Sequence, residues 1–243
     1  MREAGSGALS WTANTAASSV NGLSDALIET NSMYIGNDPS STTDDAQYNV
    51  ALGATALDAI TTGDKNVGVG YNALTANTTG YENTAVGYNS LSSVTTSLLN
   101  TAIGFMSMEA HETGSGRNTA LGGYSLSSST NGLYNVAIGY DVLKSITTGT
   151  RNTGVGNGAL DYPDDESDNV AIGYHALGGA LDDGNYNVAI GNYSLDALTS
   201  GDKNTGVGYN ALTGVTSGSW NTAVGHEAGK AMTTGADNTA FGL

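Results

Sequence analysis

Along most of this chain the apolar positions follow a five-residue unit rather than a helical period. The unit is asparagine, a β-branched residue, Ala or Gly, a bulky apolar residue and glycine, as in Asn66-Val67-Gly68-Val69-Gly70 and Asn135-Val136-Ala137-Ile138-Gly139. Its asparagine stands at Asn49, Asn66, Asn83, Asn100, Asn118, Asn135, Asn152, Asn169, Asn187, Asn204, Asn221 and Asn238. Successive asparagines are offset by 17 in sequence, and by 18 after Asn100 and Asn169. Four units thus make one block, as from Asn49 to the residue before Asn118, and the block then starts again at Asn118 and at Asn187. The stretch GDKNVGVGYNALTA at 63–76 accordingly returns two blocks later as GDKNTGVGYNALTG at 201–214. Internal repetition of this kind decides the architecture before any local reading does.

Alternation of large and small over the unit predicts a short strand with two unlike faces. The residue after each asparagine is Val or Thr, and such side chains favour extended backbone. The closing glycine, among them Gly70, Gly87, Gly139, Gly156 and Gly208, predicts positive φ or a contact too close for a Cβ. Four residues past it stands Leu, from Leu57 to Leu212, with Met108 and Gly229 as exceptions. The expected coil is strand, turn, a second short strand carrying Leu, turn. Seventeen residues are too few for the usual helical repeats. The fold class is therefore all-β: a parallel β-solenoid of about 12–13 coils of 17–18 residues, each coil pairing with the next. Residues 1–35 read as a leader or cap and 36–243 as the solenoid, in blocks 49–117, 118–186 and 187–243.

In such a stack like lies on like. Asn66, Asn83, Asn135, Asn152 and Asn204 belong to an expected amide ladder, the alternative being a row of solvent-facing turn residues. The bulky strand residues and the leucines are expected to form two apolar columns inside. The Ala/Gly positions are expected to face outward, where a second backbone can approach closely. That small-residue row predicts a homo-oligomer, a trimer being the expected form.

Composition narrows the function. Seven basic residues against 23 acidic ones leave a net charge of −16, which repels nucleic acid and anionic membrane surfaces. There is no cysteine, hence no disulfide framework. His111, His175 and His226 occupy unlike places in their coils and mark no metal site or catalytic triad, so no enzyme is expected. The one acidic anomaly, Asp164, Asp165, Glu166 and Asp168 with Asp182 and Asp183 a coil later, offers hard oxygen ligands for Ca²⁺, but without a recognised loop spacing. Aromatic residues recur after the glycines (Tyr71, Tyr88, Phe105, Tyr140, Tyr174, Tyr209) and before the asparagines (Tyr48, Tyr134, Tyr186, Trp220). Such rows either stack on sugars or cover and stiffen the solenoid.

The runs NTAVGYNSL, NVAIGYDVL, NVAIGYHAL and NTAVGHEAG resemble the repeats of phage tail fibres. They are also similar to the Ser-Val-Ala-Ile-Gly repeats in the heads of trimeric autotransporter adhesins. The segment GLSDALIETNSMYIGNDPS further resembles those preceding such repeats in marine phage fibres, and its Gly36 precedes Gly53 by one repeat length. Both families imply an elongated trimer, and the adhesins a left-handed β-roll. The expected role is the shaft of a virion tail fibre. It would hold a tip that meets a host cell-surface glycan, and the protein is expected to continue beyond Leu243. The alternatives are an adhesin head on a bacterial surface and an ice-binding solenoid displaying Thr rows.

Overall fold

The computed structural model describes residues 26–29, 31–36, 42–111 and 116–242. Fourteen strands form one sheet in strict chain order, and the described residues contain no helix. The first, β1 (Ala26–Glu29), pairs antiparallel with β2 (Ser32–Ile35). From β2 onward every pairing is parallel, through β3 (Val50–Leu52) and its successors to β14 (Thr239–Phe241). The register is that of the repeat: Val50 lies opposite Val67, Ala51 opposite Gly68 and Leu52 opposite Val69. The chain is a parallel β-solenoid with one three-residue strand per coil. β2 already belongs to the stack; the start of the leader, 1–25, lies outside the described residues.

Two expectations about the coil are corrected. The leucines lie on turns rather than on a second strand. Leu57, Leu74, Leu91, Leu126, Leu143, Leu160, Leu177, Leu195 and Leu212 all have φ between 49° and 54° and are fully buried. The chain folds back after each glycine, with Ala56 N–H donating to Gly53 O and Ile60 N–H to Leu57 O. The Leu57 N–H itself donates to Ala73 O of the next coil. Left-handed backbone costs an L-residue on the order of 1–2 kcal/mol, and that inter-coil bond with the buried isobutyl group offsets it.

The strand is also turned the other way round. Its Ala/Gly residue points inward: Ala51, Ala85, Ala102, Ala137, Ala171 and Ala189 are fully buried. Its bulky residue points outward, with Leu52 48% exposed and Leu121 44%. The cross-section explains why. Leucines already fill it, together with inward residues such as Ile60, Val94, Ile146 and Leu198 and the small row Ala56, Ala73 and Ser90. A Cβ on Gly68 would lie 3.2 Å from Ala73 O, and one on Gly154 2.5 Å from Val142 Cγ1. From β3 onward nothing larger than a methyl group lies under the strand; in β2 the corresponding inward residue is the fully buried Tyr34.

Candidate functional surface

The asparagines form the ladder. Each backbone N–H donates to the Oδ1 of the asparagine one coil earlier, from Asn66 to Asn49 (2.8 Å) through to Asn238 on Asn221 (3.1 Å). Most Nδ2 groups in turn tie a turn carbonyl, as Asn66 does Gly80 O (2.9 Å) and Asn135 does Gly149 O (2.8 Å), whereas Asn100 Nδ2 donates to Ser97 Oγ at 2.9 Å. Ser32 Oγ takes the asparagine's part in β2 and accepts Asn49 N–H at 2.9 Å. The glycines meet both conditions expected of them. Gly139 has φ 134°, and a Cβ on Gly122 (φ 138°) would lie 2.1 Å from Gly139 O.

A second ladder two residues before the asparagines escaped sequence reading. Thr150 N–H donates to Ser167 Oγ, Ser167 N–H to Asn185 Oδ1, Asn185 N–H to Asp202 Oδ1 and Asp202 N–H to Ser219 Oγ. It runs in the opposite sense to the first. Its residue type varies from coil to coil, and short oxygen-bearing side chains at one fixed offset were the only available signal.

The outward strand residues make an aliphatic stripe along the whole stack, with no bulky member buried. Each margin of this stripe carries its own row. Before the asparagines come Tyr48, Lys65, Glu82, Leu99, Arg117, Tyr134, Arg151, Asp168, Tyr186, Lys203, Trp220 and Asp237, all with φ near 60°. This row is stitched to itself. Lys65 pairs with Glu82 at 3.2 Å, Arg151 grips both oxygens of Asp168 at 2.6 and 2.7 Å, and Lys203 Nζ lies 4.1 Å from the Trp220 ring centroid. Beyond the glycines, Tyr71, Tyr88 and Phe105 stack at 5.4 and 5.3 Å with interplanar angles of 15° and 12°. Those three rings turn faces toward one another, whereas other pairs on this margin meet edge to face, Phe105 with Tyr124 at 73° and Tyr193 with Tyr209 at 89°.

The six acidic residues do not converge. Both oxygens of buried Glu166 accept backbone N–H groups, Oε2 from Asp164 (2.6 Å) and Oε1 from Asp183 (3.1 Å). Asp168 is committed to Arg151, and Asp165, Asp182 and Asp183 carry exposed side chains. Among the described residues no three His, Cys, Asp or Glu side chains gather into a metal site. Burial raises the carboxyl pKa of Asp161, Glu166 and Asp196, with the neighbouring Asp141 adding to the effect on Asp161. His111 lies inside the solenoid with Nε2 3.0 Å from Ser97 Oγ, and burial lowers its pKa to about 4. His175 and His226 lie in the outer aromatic rows, stacked against Tyr193 and Tyr209 respectively. The three histidines form no common site.

No family model, curated protein or solved structure matches the chain.

Proposed function

We propose that this chain is the structural shaft of a homotrimeric fibre, with its outward aliphatic face turned toward the fibre axis. The observation that carries the reading is that face. Twelve stacked coils at ~4.8 Å give a stripe on the order of 55–60 Å long, lined by exposed Leu, Ile and Val. Contiguous apolar patches of that extent mark protein interfaces. The apposed surface is thus the bulky side of the strand, and the Ala/Gly side is already used inside each chain. Resemblance to tail-fibre repeats extends the proposal to a virion, where the shaft would hold a glycan-binding tip away from the particle. A stiff rod built from uniform rungs suits that task, and it requires neither cofactor nor catalysis.

Light scattering with Ile138→Asp beside the parent chain tests the assembly. The parent is expected to weigh three chains and the variant one. A parent that is monomeric at micromolar concentration overturns the reading.

A further inference from the structure

Asn131-Gly132 and Asn157-Gly158 are two Asn-Gly steps that the fold treats differently; a third, Asn21-Gly22, lies outside the described residues. In such a step no side chain on the glycine obstructs its backbone nitrogen from reaching the asparagine side-chain carbonyl. What decides whether it does so is the engagement of that nitrogen. Gly158 N–H donates to Tyr140 O at 3.0 Å, and a Cβ on Gly158 would lie 3.1 Å from both Nε2 and Cε1 of the His175 ring. Its left-handed backbone, φ 64°, belongs to the fold-back that follows each strand glycine. Asn131-Gly132 lies instead on the turn that closes its coil. Asn131 is exposed there, at a corner where other coils carry Thr62, Thr79, Thr148, Ser200 and Ser217. Thr130 N–H and Asn131 N–H both donate to Thr147 O, at 3.0 and 3.1 Å, and Gly132 N–H has no acceptor among the described residues. The Gly132 carbonyl, by contrast, is held by Asn118 Nδ2 at 2.7 Å.

We infer that Asn131 is a site of spontaneous covalent modification, its side chain converted through a cyclic imide to aspartyl and isoaspartyl forms, while Asn157 is shielded by its place in the rungs. The Gly132 nitrogen attacks Asn131 Cγ and gives up its proton to solvent, and the bond from Cγ to Nδ2 breaks with loss of ammonia. Water then adds to either carbonyl of the ring and opens it. Opening at Cγ restores the ordinary backbone with a carboxylate side chain. Opening at the main-chain carbonyl leaves the chain running through Cγ, one backbone carbon longer. The sum is one water consumed and one ammonia released, with no oxidant or reductant. The two products act differently on the rod. An aspartyl side chain only adds negative charge to an exposed corner. The isoaspartyl link lengthens the coil immediately before Gly132 and displaces the carbonyl that Asn118 Nδ2 holds. Asn118 opens the second block of coils, so the rod acquires with age a weakened seam at one fixed place. Nothing in this depends on how many chains assemble.

Tryptic mapping separates the two steps, because cuts after Arg117, Lys144, Arg151 and Lys203 place Asn131 in peptide 118–144 and Asn157 in peptide 152–203. The folded protein is aged at mildly alkaline pH and body temperature beside synthetic peptides spanning each step. Fragment-ion spectra then locate the mass gained when an amide becomes an acid. Both free peptides are expected to convert, and in the folded protein only position 131. The Tm is expected to fall as the isoaspartyl fraction grows. Fresh Asn131→Asp should keep the parent Tm, and Asn131→Ser should abolish both the mass change at 131 and the loss. An unchanged position 131 after its free peptide has converted overturns the site, and so does equal conversion at Asn157. A Tm that stays constant while isoaspartate accumulates overturns the weakened seam.

Discussion

The two sides of each strand differ in what fixes them. Inward, the middle residue is Ala or Gly in every repeat coil, and the atoms beneath it belong to the same chain: Leu57 Cγ and Ala73 O under Gly68, Val142 Cγ1 under Gly154. Outward, the third residue varies among Val, Ile, Leu and Phe, and among the described residues none buries it. Steric contact within one molecule accounts for the first restriction. The second is one of polarity rather than size, as expected of a surface that must stay apolar without interlocking closely. A small residue is therefore no sign of an exterior here, nor a large one of a core.

The contrast can be broken most severely from inside. Ala137→Leu forces an isobutyl group into the filled cross-section and should cost on the order of 3 kcal/mol or more, seen as a large drop in Tm by circular dichroism. Asn135→Ala should follow closely: it strips the acceptor of Asn152 N–H and the donor to Gly149 O. Leaving both groups buried and unpaired should cost about 3 kcal/mol.

Buried His111 sharpens the same point through pH. Its folded pKa lies below its unfolded value, so the unfolded chain takes up the proton first. Stability is therefore lost as pH falls from about 6.5 to about 4. The loss approaches about 3 kcal/mol and should vanish in His111→Leu. The raised carboxyls of Asp161, Glu166 and Asp196 act in the opposite sense, since the folded chain holds their protons more tightly and acidification toward their unfolded pKa adds stability. The difference between His111→Leu and the parent, followed by thermal melts from pH 7 to 4, isolates the histidine.

Outside, Ile138→Asn should change the stability of the single-chain fold by only about 0.5 kcal/mol while weakening association, so its melt should become strongly concentration-dependent. Smallest of all should be removal of the block 118–186, which sets Asn187 on Asn100 with every row aligned. Stability per coil should hold, and electron microscopy should show a particle shorter by about 19 Å.

Period, coil count, ladder and glycine roles were legible in the sequence because each rests on one residue type at one offset. The asparagine amide has both the donor and the acceptor that stacking needs, and glycine alone tolerates a backbone carbonyl where its Cβ would be. The facing of the strand was not legible. Alternation separates two faces without saying which is inside, and the answer depends on how far Leu74 and its column fill a cross-section set by the turns. Nor were the left-handed leucines, since a positive φ leaves no mark on a residue chosen for its bulk. The acidic residues at 164–168 and 182–183 looked like one cluster because they are close in sequence and register. Glu166 was drawn inward instead by two backbone N–H groups, and Asp168 outward by Arg151.

The ladders also govern how such a rod yields when pulled from its chain ends. The bonds between coils lie along the stack, and the covalent chain crosses each seam once. Tension should therefore peel away one coil at a time rather than shear the whole sheet. Each coil released turns ~4.8 Å of stack into a full repeat of slack chain, a gain of about 50 Å. Force-extension traces should show steps of that size, slightly longer for the two coils that carry an extra residue, so the repeat that sets the rod's rungs would also set the length let out as it gives way.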